Sequence, residues 1–171
     1  MRINIKDIPV TGKHYEFDLA QELLELDITL IQTPHFQGTM FRSEEDVRVQ
    51  GRIQTSTQVF CHRCLEPFIY QVSADLELFY KPQPTRQQLA DEEIPVSELG
   101  ILYYRDQTLD LTEALRDTIL LEIPVKLLCK PDCQGLCAHC GANKNVMFCN
   151  CQQNQPAAKN PFAEFFEKNR Q

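Results

Sequence analysis

Eight cysteines in two separated groups set the terms for any fold this chain can adopt. Six lie between Cys129 and Cys151, in Cys129-Lys-Pro-Asp-Cys133-Gln-Gly-Leu-Cys137-Ala-His-Cys140-Gly141 and then Cys149-Asn-Cys151. The other two, Cys61 and Cys64, form a C-x-x-C pair far upstream. Such a turn places two thiolates on one side of a tight loop, which is half of a tetrahedral zinc site. Cys137-Ala-His-Cys140 has the same form. Gly141 follows where the backbone must curl back so that amides face the sulfurs, a conformation glycine reaches freely. Eight cysteines make two sets of four. The preferred grouping is local, with Cys137, Cys140, Cys149 and Cys151 in one site and Cys61, Cys64, Cys129 and Cys133 in the other. A ribbon grouping joins the two C-x-x-C turns and leaves Cys129, Cys133, Cys149 and Cys151. Both stay open at this level, as does a count of one or two zinc ions. His62 and His139 sit inside the turns and are expected to point away from the metal.

A disulfide framework is the competing reading, since an even cysteine count permits it. Against it, the start Met1-Arg2-Ile3-Asn4-Ile5-Lys6 shows no apolar signal core. A chain of 171 residues can also bury a core without covalent staples. A redox-active C-x-x-C would need a helix starting at its first cysteine. Pro67 and the strand pattern after Cys64 argue against that context. Structural zinc is therefore the expected cofactor.

With 43% hydrophobic and 24% charged residues the chain reads as globular, one domain or one domain with a small appendage. No run approaches the roughly 18 apolar residues of a membrane span, so a soluble, cytoplasmic protein without a membrane partner is expected. Net charge is −7, which disfavours a phosphate backbone as partner. The charge is uneven, however. Residues 1–128 hold 12 Lys/Arg against 21 Asp/Glu, whereas residues 129–171 hold 5 against 3. The cysteine-bearing end is the less repulsive one.

Alternation dominates the first part of the chain. Val47, Val49, Ile53, Thr55, Thr57, Val59 and Cys61 share one parity, with Arg48, Gln50, Arg52, Gln54, Ser56 and Gln58 on the other. Phe68, Tyr70, Val72, Ala74, Leu76, Leu78 and Tyr80 repeat the pattern against Gln71, Ser73, Asp75 and Glu77. These are two half-buried antiparallel strands, and Cys61 to Pro67 is the tip of a long β-hairpin. His14 to Leu19 reads as a further strand, Gln21 to Leu26 as a helical turn or loop, and Ile101 to Tyr104 as a short strand. Pro34 and Gly38 break Ile28 to Phe41 into strand, turn and strand. Residues 81–99 form an acidic loop. A helix is predicted from Asp110, with Asp110 and Glu113 as a capping pair. Leu111, Leu115, Thr118 and Ile119 lie on one face, Leu120, Leu121 and Ile123 widen it, and Pro124 is the stop. After a polar spacer, Asn160-Pro161 starts a short helix carrying Phe162, Phe165 and Phe166. The expected class is α+β: an antiparallel sheet, open or curled toward a barrel, with one covering helix and a zinc-binding C-terminal segment. The expected divisions are residues 1–128, 129–151 and 152–171.

Three segments carry a resemblance. They are Phe60-Cys-His-Arg-Cys-Leu-Glu-Pro-Phe68 between two strands, Asp110-Leu111 through Ile119-Leu-Leu-Glu-Ile-Pro124, and Leu128-Cys-Lys-Pro-Asp-Cys-Gln-Gly-Leu-Cys137 with Cys140-Gly-Ala-Asn143 and Cys149-Asn-Cys151. In this order the chain resembles the YceD-like proteins, described as large ribosomal RNA subunit accumulation proteins. The resemblance implies a non-enzymatic factor for accumulation, processing or assembly of large-subunit ribosomal RNA, without a small-molecule substrate. Its implied partner is that RNA or a ribosomal precursor, with a ribosomal protein as an additional possibility. Candidate RNA-contacting residues are Arg63, Lys130 and Lys144 beside the cysteines, with Arg48 and Arg52 on the polar face of the hairpin. The alternative class is a thiol- or zinc-based redox sensor or C-x-x-C oxidoreductase.

Overall fold

The computed structural model describes residues 2–24, 28–84 and 100–151. The acidic loop expected at 81–99 falls mostly outside the described residues, as does the helix expected after Asn160. The chain divides into two compact units: residues 1–59 with 68–126, and residues 60–67 with the part from Leu127 onward.

The first unit is mostly sheet with one helix. Its five-stranded sheet has the order β2 (Lys13–Asp18), β3 (Thr29–Ser43), β4 (Asp46–Phe60), β5 (Pro67–Pro82) and β6 (Ile101–Tyr104). A separate pair joins β1 (Arg2–Asn4) to β7 (Thr108–Asp110). β2 and β6 are edges, so the sheet is open and does not close into a barrel. The long strands form because alternation persists along their whole length. In β5, Val72, Ala74, Leu76 and Tyr80 are buried while Gln71, Ser73, Asp75 and Glu77 are exposed. β4 buries Val47, Val49, Ile53, Thr55, Thr57 and Val59. Ser56 is buried too, because β3 and β4 change register here, from Leu30 opposite Thr57 to Gln32 opposite Ser56. The hydroxyls of Thr55 and Thr57 donate to the carbonyls of Gln32 and Thr29, at 2.6 and 2.9 Å.

Three expectations are corrected. Residues 28–41 do not form strand, turn and strand; β3 runs unbroken from Thr29 to Ser43. Pro34 falls in the second register shift, between Gln32 and His35, where the ladder asks no N–H of it. Gly38 stands directly opposite Gly51, and the two leave room for the Phe36 ring, which a Cβ on either would approach within 2.7 Å. The sheet is also not purely antiparallel, since β6 pairs parallel to β5. The helix α1 covers Thr112–Glu122, and Asp110 instead ends β7. The Asp110 carboxylate still accepts from the Thr112 N–H at 3.0 Å. α1 buries a narrow stripe, with Leu115 and Ile119 continuing from Leu111, whereas Leu120 and Leu121 are 42% and 86% exposed. Leu111, Leu115 and Ile119 join Phe36, Met40, Ile53, Val72 and Leu109 in one core. Among the described residues no helix is long and apolar enough to cross a membrane.

Candidate metal centres

The second unit starts where the alternation of β4 ends. Cys61 to Cys64 is a turn, and the backbone after it is fixed by two bonds. The Leu65 N–H donates to the Cys61 carbonyl at 2.9 Å, and the Cys61 N–H to the Glu66 carbonyl at 2.9 Å. The turn at Cys137 repeats this pattern. The Gly141 N–H donates to the Cys137 carbonyl at 2.9 Å, and the Cys137 N–H to the Ala142 carbonyl at 2.8 Å. Both bonds require a left-handed residue after the second cysteine. Gly141 has φ +71 as expected for glycine, but Leu65 holds φ +60 with a side chain. The sequence already carried that signal, since Leu65 stands where Gly141 stands in the other turn.

The sulfurs gather into two groups, Cys61, Cys64, Cys129 and Cys133, and Cys137, Cys140, Cys149 and Cys151. This is the local grouping; the two C-x-x-C turns do not share a site. Within each group the ligand atoms lie within 4.8 Å of one another. Cys61 and Cys133 stand 3.7 Å apart, as do Cys64 and Cys129. Four sulfurs held about 2.3 Å from a common ion must stand about 3.8 Å apart, so these spacings fit the edges of a metal tetrahedron. A disulfide would need about 2.05 Å, and all eight cysteines are free thiols. Neither His62 nor His139 belongs to a group.

The electrostatics favour a cation in both. Burial pushes the Cys61 thiol up, but the amides of Cys129, Cys64 and Arg63 outweigh it and bring it down to about 5. Cys137 is held down at about 6 by the amides of Cys140 and His139 and by the Cys149 thiol, against burial. Burial pushes Cys133 up as well, but the Asn145 amide and the Gly135 N–H bring it below an ordinary thiol, whereas Cys129 and Cys151 move the other way. Burial and the sulfurs of Cys133, Cys64 and Cys61 push Cys129 up to about 12. The Cys140 sulfur and burial push Cys151 up to about 12. Each group thus favours a thiolate and then resists further ionisation by repulsion. A divalent cation at the centre removes the repulsion and lets all four sulfurs ionise. The two groups can hold metal ions.

An asparagine missed at the sequence level touches this chemistry. The Asn145 amide donates from Nδ2 to Cys133 Sγ at 3.4 Å, while its Oδ1 accepts from the Gln134 N–H at 2.9 Å. No spacing rule marks it.

The five candidate RNA-contacting cations are divided between the two units. Arg48 pairs with Glu77, and Arg52 with Asp75 through bonds of 2.6 and 2.9 Å, all on the first unit. Arg63 and the two lysines belong to the second. The Arg63 guanidinium donates to the Cys133 carbonyl at 2.9 Å, and so braces a metal group. Lys130 lies 4.0 Å from Asp132. Lys144 is half-buried.

An open sheet whose longest hairpin ends in a cysteine turn, completed by a second cysteine group downstream, defines a small sheet protein with paired tetracysteine centres. The chain belongs to the family described as large ribosomal RNA subunit accumulation protein YceD, which matches residues 49–165, more than half of its length. A Zea mays protein named large ribosomal RNA subunit accumulation protein YCED homolog 1, chloroplastic, is 26% identical over 144 residues, covering 71% of this chain and 49% of that protein. Its Arabidopsis thaliana namesake is 24% identical over 139 residues, covering 66% and 41%. An uncharacterised protein of Mycobacterium tuberculosis (strain ATCC 25618 / H37Rv) is 37% identical over 98 residues, covering 57% and 44%. The chain thus spans less than half the length of these relatives. No solved structure matches it.

Proposed function

We propose that this protein is a non-enzymatic factor in the accumulation of large-subunit ribosomal RNA, acting through a unit that two zinc ions hold in shape. The observation that carries the reading is the pair of tetracysteine groups with metal-tetrahedron spacings in a member of a family named for that role. All-sulfur tetrahedra suit zinc or iron, and the redox-silent ion fits a structural role. The second unit is also the more favourable surface for RNA. Arg48 and Arg52 are closely paired with carboxylates, whereas Lys130 stands 4.0 Å from Asp132, so Lys130, Lys144 and Arg63 are the proposed contacts to ribosomal RNA or its precursor.

Elemental analysis of the purified protein is expected to give two zinc per chain; iron, or no metal in folded protein, would count against the reading. RNA binding is then measured at two salt concentrations. Few cations are available, so the slope should correspond to about two or three released counterions. Lys130→Ala with Lys144→Ala should flatten it while leaving the zinc content unchanged. Arg63 is kept out of that pair because it also braces Cys133. If binding to ribosomal RNA is undetectable while a ribosomal protein is captured, the partner is that protein and the RNA contacts are wrong.

A further inference from the structure

The two metal groups share more than a stretch of chain. The eight residues from Gly141 to Phe148 close the gap between Cys140 and Cys149, so a metal in the second group pins both ends of this loop. The middle of the loop lies against the first group. Asn145 donates to Cys133 Sγ, and its amide cannot be turned round, because its Oδ1 holds the Gln134 N–H. Its other Nδ2 hydrogen goes to Asn143 Oδ1 at 2.8 Å, and that same oxygen accepts the Asn145 N–H at 3.0 Å. Asn143 in turn donates to the Glu66 carboxylate at 3.3 Å, two residues beyond Cys64. The Lys144 N–H reaches the Gly135 carbonyl at 2.9 Å, and the Leu136 N–H reaches Arg63 at 3.0 Å.

From this geometry we infer that the two metal centres bind cooperatively, with Asn145 as the residue through which the loop of the second centre positions and charge-stabilises a ligand of the first. The inference rests on the metal reading above. A donor to a metal-bound sulfur lowers its charge and fixes its direction, and losing such an outer partner typically weakens a site by about 10- to 100-fold. Filling the second centre orders the loop beforehand, so the first centre no longer bears that ordering cost. The effect must be reciprocal.

The test is titration of the full chain with cobalt(II), followed by its sulfur-to-metal absorption, in five proteins: unaltered, Asn145→Ala, Cys149→Ser with Cys151→Ser, these three changes together, and Cys61→Ser with Cys64→Ser. Removing the second centre should weaken the first by about 5-fold or more. Asn145→Ala alone should weaken the first centre by about tenfold and shift its absorption band while the second centre stays filled. In the triple variant Asn145→Ala should add little, because the loop is already released. Cys61→Ser with Cys64→Ser should weaken the second centre by the same factor. Equal first-centre affinity in all variants, or effects that simply multiply, would overturn the coupling and leave the metal reading intact. An unaltered protein that takes up no cobalt would sink both.

Discussion

Gly135 and Gly141 offer a matched pair of substitutions. Their φ angles are +69 and +71, so Ala at either meets the same left-handed penalty of about 1–2 kcal/mol. Their surroundings differ. A Cβ at Gly141 meets nothing within 4 Å, whereas at Gly135 it lands 2.9 Å from the Arg63 carbonyl oxygen and 3.3 Å from Arg63 Cβ. That carbonyl is backbone and is held by the Leu136 N–H at 3.0 Å, so it cannot yield without opening the bond that ties the turn at Cys61 to the C-terminal cysteines. Overpacking of this kind adds about 1–3 kcal/mol. Gly135→Ala should therefore cost about 2 kcal/mol more than Gly141→Ala. Metal binding and folding are one free energy where the site is absent from the unfolded chain, so the difference is read as zinc affinity. Competition with a chromophoric chelator at equilibrium should show Gly135→Ala about 30-fold weaker than Gly141→Ala. Equal losses would refute the packing argument and leave only backbone strain.

Three further outcomes follow from the same geometry. Leu65→Gly relieves a left-handed non-glycine residue, and should raise stability by about 1 kcal/mol, read as a higher chelator concentration for zinc release; a lower one would mean that the exposed Leu65 side chain supports the turn. Gly51→Ala puts a Cβ 2.6 Å from the Gln37 carbonyl oxygen and 2.7 Å from the Phe36 ring, and should lower the urea midpoint of the sheet unit by about 1–3 kcal/mol equivalent; an unchanged midpoint would refute the close glycine pairing. In metal-free protein that keeps the turns, thiolate absorbance should titrate near pH 5 and 6 for Cys61 and Cys137, while Cys129 and Cys151 stay protonated to about 12. Both lowered values lie below an ordinary thiol's, so the stability they contribute is full at alkaline pH and is lost as pH falls through 6 and then 5. Absorbance rising only near pH 9 in protein whose Cys137 and Gly141 amides remain protected from exchange would show that the amides do not face those sulfurs.

The parts of the fold legible in the sequence were those where one signal persisted without interruption. β4 and β5 alternate over 15 and 16 residues, so their faces and the position of the cysteine turn between them could be read directly. β3 could not, because Pro34 and Gly38 normally end strands. Here the first falls in a register shift and the second faces another glycine, and neither circumstance is visible without the partner strand. The direction of β6 was hidden as well, since four residues carry no record of which neighbour they pair with. The local cysteine grouping was one of two readings. What separates them is the Leu136–Arg63 bond that brings Cys133 to the hairpin tip, a contact between residues far apart in sequence. Asn145 was illegible for the same reason.

Metal ions in the two cysteine groups would also account for how the second unit holds together. The first unit has a conventional core of aliphatic and aromatic side chains. Among the described residues of the second, the buried hydrophobic side chains are Cys61, Cys64, Cys133 and Cys137. Of its larger apolar groups, Leu127, Leu128 and Leu136 are half-buried, while Phe60 is 60%, Leu65 63% and Val146 81% exposed. A unit whose described residues bury so little beyond cysteine draws on a metal or covalent staples for stability, and its thiols are free. Chelation should therefore melt the second unit selectively. Hydrogen exchange of the chelated protein is expected to lose protection at the amides of Leu136, Cys137, Gly141 and Lys144, which are bonded only within that unit. The amides of β4 from Val47 to Ile53 should remain protected by their pairing with β3. Retention of both sets after complete metal removal would mean that the hydrogen bonds alone suffice. Loss of both would mean that the sheet depends on the ions as much as the cysteine turns do, and that its core is weaker than its buried side chains imply.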